Sequence, residues 1–266
     1  MLISIIGLGF VGSAISKSFK KKKIKLIEYD KYKNIGSFNE CLKSDIAFLC
    51  LPTLFNEKTS SYNKDAIHEI CQKFNENYYN KIIVIKSTIE PETLNILSKK
   101  YKNLHLIHNP EFLSAKTAFA DFHNQKHIVL GKGLNCSDKN YDIIINFYKK
   151  YYPDAQVSLC NSTESESMKI FLNSYYATKI QFFNELFLLC QKNKTNYNVI
   201  KDLMLKNNWI NPMHTQVPGH DGKLSYGGAC FPKDTKALNM YMEQNNVPNK
   251  VLKSVIDERE LIRENL

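Results

Sequence analysis

The sequence lacks any apolar run long enough to span a bilayer and any low-complexity tract. The first absence argues against a transmembrane helix. Met1-Leu2-Ile3-Ser4-Ile5-Ile6 has no basic residues ahead of it and is too short for a signal peptide. It reads as a first strand, and the protein as cytoplasmic with no membrane partner. No CxxC pair occurs, and neither the 7 cysteines nor the 7 histidines show zinc-ligand spacing, so no metal is expected. An odd cysteine count fits reduced thiols better than a disulfide framework. Arginine is scarce: the net charge of +10 is almost all lysine, spread along the chain. No arginine-rich or aromatic-interleaved stripe points to nucleic acid, whereas an anionic small substrate suits part of the charge.

What is present is a chain of 266 residues, 43% hydrophobic, enough for one large domain or two modest ones. Residues 2–6 feed Gly7-Leu8-Gly9-Phe10-Val11-Gly12, a G-x-G-x-x-G pattern between a strand and a helix over roughly residues 10–20. That is the context of a dinucleotide fingerprint: Gly7 makes the turn, Gly9 admits pyrophosphate, and Gly12 lets helix and strand approach. The phosphates would sit on the helix N-terminus at Phe10 and Val11. The next strand ends at Asp30, an acid suited to the ribose hydroxyls of NAD and repelling a 2′-phosphate. Lys31 and Lys33 follow closely and weaken that preference.

Strand-like runs at 46–51, 81–86, 104–108 and 127–131 alternate with helical stretches, which predicts a parallel, doubly wound sheet. Thr53, Ser87-Thr88 and Asn109-Pro110-Glu111 close three of these runs and should face the crevice of Gly9 and Asp30. Thr88 could equally be a helix N-cap, and Glu111 a solvated loop carboxylate. A helix near 136–151 and a strand at 155–160 follow. An unbroken helical pattern then runs from about 162 to 192, with Ser162 or Thr163 expected as its N-cap. Such a helix connects domains and could carry a dimer seam. Glu166, Lys169 and Asn173 fall on one of its faces. The expected organisation is an α/β fold, a Rossmann-like domain over 1–160, then the long connecting helix and a small all-helical domain over 161–266.

The most unusual stretch is Gly227-Gly228-Ala229-Cys230-Phe231-Pro232-Lys233-Asp234, where the proline is expected to open a helix running on from Asp234 to about Gln244. A thiol at a helix N-terminus sits where N–H groups and the macrodipole favour the thiolate, and Lys233 adds positive charge. Asp234 lies one turn beyond Cys230. The other cysteines, at 41, 50, 71, 136, 160 and 190, sit in apolar or helical patterns and read as packing residues. The loop-like 209–226 segment should cover a substrate.

This segment resembles the nucleophile motif of the UDP-glucose/GDP-mannose 6-dehydrogenase family. Lys86-Ser87-Thr88, Asn109-Pro110-Glu111-Phe112-Leu113 and the Lys169/Asn173 pair resemble further pieces of that family, in its order. The resemblance implies an NAD-dependent, four-electron oxidation of a nucleotide sugar to its uronic acid, in a homodimer formed through the long helix. It implies Cys230 as nucleophile, and Lys169 and Asn173 as oxyanion stabilisers. Asp234 would orient the thiol or a water, and Glu111 with Thr88 would handle the hydrolytic water. Gly7, Gly9, Phe10, Val11, Gly12, Asp30, Thr53, Thr88 and Lys233 would meet the cofactor. Glu111, Phe112, Leu113, Lys169, Asn173, Gly227 and Gly228 would meet the substrate.

Three departures stand out. Only residues 31–45 join the second and third strands, Ala115 replaces a second glutamate, and the chain is expected to be a short form without the family's third domain. Two other readings remain: a two-electron 3-hydroxyacid or 6-phosphogluconate-type dehydrogenase, or an inactive NAD-binding module.

Overall fold

The computed structural model describes residues 1–265. Its elements in order are β1 (Leu2–Ile6), α1 (Phe10–Lys21), β2 (Lys25–Tyr29), α2 (Phe38–Cys41), β3 (Ile46–Leu49), β4 (Phe55–Asn56), β5 (Ser61–Tyr62) and α3 (Asp65–Glu76). Then come β6 (Ile82–Ile85), α4 (Thr93–Lys100), β7 (His105–His108), α5 (Ala118–His123), β8 (His127–Lys132), α6 (Asp138–Tyr151) and β9 (Gln156–Asn161). The helices α7 (Ser162–Lys192), α8 (Tyr197–Leu205), α9 (Phe231–Gln244) and α10 (Lys250–Asn265) complete the chain. It divides into two compact units, one of Met1–Leu54 with Tyr62–Lys169, the other of Phe55–Ser61 with Ile170–Leu266.

The first unit is built on a seven-stranded sheet of order β2-β1-β3-β6-β7-β8-β9. Ile46, Ala47, Phe48 and Leu49 of β3 are all fully buried, and so are their neighbours on β6. Successive side chains of a strand point to opposite faces, so a continuous apolar run serves a sheet covered on both sides. Phe48 and Val84 join one core with Ile3, Phe19 and Phe147, while Ala47 and Ile83 join the other with Ile67 and Phe74. Phe19 meets Phe48 and Phe147 edge-on, at 5.4 Å each. Truncating a ring at such a site costs about 3–5 kcal/mol.

Strands β1, β2, β3, β6 and β7 pair in parallel, as alternation with helices predicts. The run at 127–131 was expected to extend that parallel array, but β8 pairs antiparallel to β7, and β9 follows β8 in parallel. The α5 segment between β7 and β8 is a short helix of 6 residues. The direction of β8 is set by its pairing, Ile107 with Lys132 and His108 with Gly131, which an apolar run does not specify.

The second unit holds most of α7, then α8, α9 and α10. The β4–β5 hairpin segment 55–61 groups with it, although the sequence places that segment between β3 and α3. Lys236 of α9 bonds Glu57 of the hairpin at 2.8 Å. The N-cap of α7 is Asn161 rather than Ser162 or Thr163. Asn161 Oδ1 accepts from the Glu164 N–H (2.9 Å), and the Glu164 carboxylate accepts from the Asn161 N–H (2.8 Å). This reciprocal box satisfies two otherwise orphaned donors.

Candidate active site

The glycine loop of the first unit is shaped by contacts that leave no room for side chains. Gly7 has φ +89°, and a Cβ there would strike the Cys50 carbonyl; a Cβ on Gly12 would strike the Gly7 carbonyl. A Cβ on Gly9 would meet nothing within 4 Å, so the space above it is open. Gly9 is also the N-cap of α1, with no side-chain cap and no acid in the first turn. Uncapped N–H groups of Phe10 and Val11 therefore face outward with the positive end of the helix dipole, as a pyrophosphate requires.

Asp30 is buried at the end of β2 and does more than wait for a ribose. Its Oδ2 accepts from the Leu8 N–H (2.7 Å), and its Oδ1 from the N–H groups of Tyr32 and Lys33 (3.0 Å each). A carboxylate has about four lone-pair sites, so a hydroxyl can still be accepted. Lys33, read from sequence as a weakening influence, sends its ammonium to the Leu8 carbonyl at 2.5 Å. Asp30 and Lys33 thus brace the glycine loop from below, a role the strand-and-motif pattern did not signal. The open Gly9, the bare helix end and the acid fit a dinucleotide diphosphate.

Beyond β3 and β6, Thr53 Oγ1 donates to the Thr88 carbonyl (2.7 Å) and Ser87 Oγ to the Leu51 carbonyl (2.7 Å). Thr88 is not a helix N-cap, since α4 starts at Thr93 with Glu92 as its cap. Glu111 is not a solvated loop carboxylate either, being buried. Its Oε2 accepts from the Leu113 N–H (2.6 Å), and its Oε1 lies 3.4 Å from Lys169 Nζ. Lys169, also buried, donates to the Glu111 carbonyl and stands 5.3 Å from the centre of the Phe112 ring. The turn carrying Glu111 is held underneath by Lys86, a buried lysine that donates to Asn109 Oδ1 at 2.9 Å. Burial lowers the Lys86 pKa to about 8. Glu166, fully buried one turn before Lys169, accepts the Leu94 N–H (2.9 Å), and burial raises its pKa to about 8.

In the second unit, α9 begins at Phe231, so Cys230 is its N-cap, with Pro232 in the first turn. Proline suits that position because its missing N–H has no intrahelical partner there. Cys230 is half-buried, and Gly228 just before it turns the chain with φ +77°. Asp234, one turn on, is fully buried. Its Oδ2 accepts from Asn173 Nδ2 and its Oδ1 from Lys233 Nζ, both at 2.6 Å. Phe231 packs with Tyr176 and His214, at ring distances of 6.3 and 5.6 Å. Among the described residues no group of three or more His, Cys, Asp and Glu is placed to hold a metal, and no helix is long and apolar enough to cross a membrane.

A mostly parallel sheet with a glycine-rich turn, an uncapped helix start and an acid at the second strand defines a dinucleotide-binding protein of the Rossmann class. Residues 34–152 match the NAD binding domain of the UDP-glucose/GDP-mannose dehydrogenase family, and residues 163–259 match its central domain. The chain belongs to that family, and its cofactor is NAD. It is 33% identical over 255 residues to the UDP-glucose 6-dehydrogenase of Rickettsia prowazekii, covering 89% of this chain and 54% of that protein. The chain thus spans about half the length of the curated relatives it matches.

Among solved structures, a UDP-glucose dehydrogenase of Pyrobaculum islandicum superposes with a TM-score of 0.85 at 21% identity, over 98% of this chain and 68% of that one. A 3-hydroxyisobutyrate dehydrogenase of Mycobacterium tuberculosis superposes with a TM-score of 0.76 at 14% identity, over 96% of this chain and 91% of that one. Both likenesses concern the fold alone.

Proposed function

We propose that this chain carries out NAD-dependent oxidation of the C6 primary alcohol of a nucleotide sugar, UDP-glucose or a related UDP-sugar, to the uronic acid. The observation that carries this reading is Cys230 at the N-terminus of α9, with Asp234 buried one turn on and bound by Asn173 and Lys233. Converting an alcohol to an acid removes four electrons, and NAD supplies two successive hydride acceptors.

Between the two steps the aldehyde must be kept from escaping. The Cys230 sulfur adds to its carbonyl carbon, giving a thiohemiacetal; loss of the second hydride leaves a thioester, and water releases the acid and restores the thiol. Each addition places negative charge on oxygen. Lys169 has three N–H donors, one given to the Glu111 carbonyl, and Asn173 has two, one given to Asp234. The remaining N–H groups are assigned to that oxygen. Glu111, with Thr88, is assigned the hydrolytic water. Asp234 orients Asn173 and Lys233. A thiolate that must remain reduced fits a cytoplasmic setting.

A homodimer through α7 belongs to the same reading. Phe171, Tyr175, Phe182 and Leu189 lie exposed along that helix at spacings of four and seven residues, a stripe that a second copy would cover. Sedimentation of a variant with Phe182→Glu tests it, a shift from dimer to monomer being expected.

The decisive experiment counts NADH per sugar across UDP-glucose, UDP-N-acetylhexosamines and GDP-mannose, in the wild type and in Cys230→Ala. Two NADH per sugar and loss of acid formation in the variant, with NAD still bound, are expected. One NADH per substrate favours the two-electron hydroxyacid class, whose fold this chain shares. Acid made at normal speed by the variant refutes the covalent route. Tight NAD binding without NADH from any of these sugars leaves a binding module.

A further inference from the structure

Leu224, Ser225 and Tyr226 approach the Cys230 turn outside any strand or helix, and their carbonyl groups need partners from elsewhere. All three find one on α10. Arg263 Nη1 donates to the carbonyls of Leu224 (2.9 Å) and Ser225 (3.1 Å), and Arg259 Nε to that of Tyr226 (3.1 Å). The two arginines are four residues apart and so share one helix face. The Arg259 guanidinium also stands 5.6 Å from the centre of the buried Tyr226 ring, and Arg263 pairs with Asp221, three residues before Leu224. A Cβ on Gly227 would run into the Arg263 guanidinium, so this glycine is where the fork passes against the backbone.

The opposite side of the same segment is tied to α7. The Ser225 N–H donates to Asn184 Oδ1 (2.8 Å), and the Ser225 hydroxyl to Gln181 Oε1 (2.5 Å). Ser225 itself is held at φ +57°, a left-handed conformation a serine rarely adopts unaided. The backbone leading into Cys230 is therefore fixed from both sides, and its carbonyl side depends on two guanidinium groups. A lysine has neither the planar fork nor the five donors to replace one of them.

We infer that Arg259 and Arg263 are positioning residues for Cys230, fixing the Leu224–Gly228 backbone so that the sulfur is presented at the start of α9. The inference rests on the reading of Cys230 as nucleophile, and it adds that the nucleophile's placement is set by α10. In this role the arginines touch backbone carbonyls and act on the chemistry through them.

The test uses the full chain with Arg259→Lys, Arg263→Lys, Arg263→Ala and the double lysine variant. Three quantities are followed: amide hydrogen exchange in the 224–229 peptide, the alkylation rate of Cys230 by iodoacetamide with peptide mapping, and kcat against KM. Exchange should rise about tenfold or more, because the segment then opens locally. Alkylation of Cys230 should change several-fold while NAD affinity does not. The kcat should fall about 10–100-fold with KM for the sugar little changed, the signature of a misplaced nucleophile. Millimolar guanidinium should restore Arg263→Ala, but not the lysine variants.

If Arg263→Ala fails to fold, the lysine variants, which keep stem and charge, carry the test. A folded double variant with unchanged exchange and unchanged Cys230 alkylation overturns the inference. If the wild type oxidises no nucleotide sugar, the reading of function fails, yet the exchange and alkylation results still decide the arginine assignment.

Discussion

Replacing Lys169 with Met should separate the two tasks this side chain is given. Lys169 and Glu111 are both buried, with 3.4 Å between Nζ and Oε1. At that separation and an effective dielectric constant of about 20, their attraction is about 5 kcal/mol, set against the cost of desolvating both ions. Removing the ammonium takes from the buried carboxylate its ion-pair partner and leaves only the more distant charge of Lys86, a loss of up to about 3–5 kcal/mol. For a unit of this size that lowers the unfolding midpoint by on the order of 10 °C. Glu111→Gln in the same chain removes the stranded charge while keeping an acceptor for the Leu113 N–H, so the double variant should recover much of the loss. Turnover should not recover with it, because losing one oxyanion donor costs on the order of 10²–10³ in rate whatever the stability. Calorimetric unfolding of the four proteins at pH 7, with NADH production on the same samples, makes the measurement. A Lys169→Met loss below about 1 kcal/mol, or a coupling in the cycle below about 0.5 kcal/mol, refutes the argument.

The glycine loop gives a paired prediction: Gly9→Ala should fold normally yet bind NAD more weakly by about tenfold or more, because its Cβ meets only the space the pyrophosphate needs. Gly12→Ala should lose stability as well as NAD binding, since its Cβ collides with the Gly7 carbonyl; calorimetry and NAD titration distinguish the two. The depressed Lys86 means the unfolded chain binds its proton more readily, so this group favours folding above pH 10.5 and loses that contribution as pH falls to about 8. The wild-type minus Lys86→Met stability difference should therefore rise with pH across that window. Glu166 has the opposite sign: its contribution is fully present below pH 4.5 and lost as pH rises to about 8, so Glu166→Gln should flatten the decline over that range in urea unfolding.

The parts of the fold that were legible in the sequence are those governed by local chemistry. The β1–α1 turn announces itself because only glycine tolerates the approach of backbone at Gly7 and Gly12. α7 is visible because 31 residues pass without glycine or proline. What stayed hidden depends on partners distant in sequence. The reversal at β8 is a choice of neighbour and direction that an apolar run does not encode. The Asn161 cap escaped notice because the strand β9 runs straight into the helix, and only the reach of Glu164 back to Asn161 marks the boundary. In the candidate site, residue types and spacing drew attention to Cys230 and Asp234, and the resemblance to the family drew it to Lys169. The lysine of Lys86-Ser87-Thr88 was passed over because a lysine is ordinarily solvated, and Arg259 and Arg263 because an amphipathic terminal helix carries arginines for many reasons.

The seven residues of the 55–61 segment leave and rejoin the sheet-bearing unit while folding with the helical one. No single cleavage of the polypeptide can therefore yield both halves intact. A fragment starting at Ser162 would part Lys236 from Glu57 and leave α9 without the ribbon it packs on. A sheet fragment stopping near Asn161 would keep that ribbon without the helix to which Lys236 ties it. Dissecting this protein calls for a graft, in which the hairpin travels with the helices through a linker, rather than a truncation.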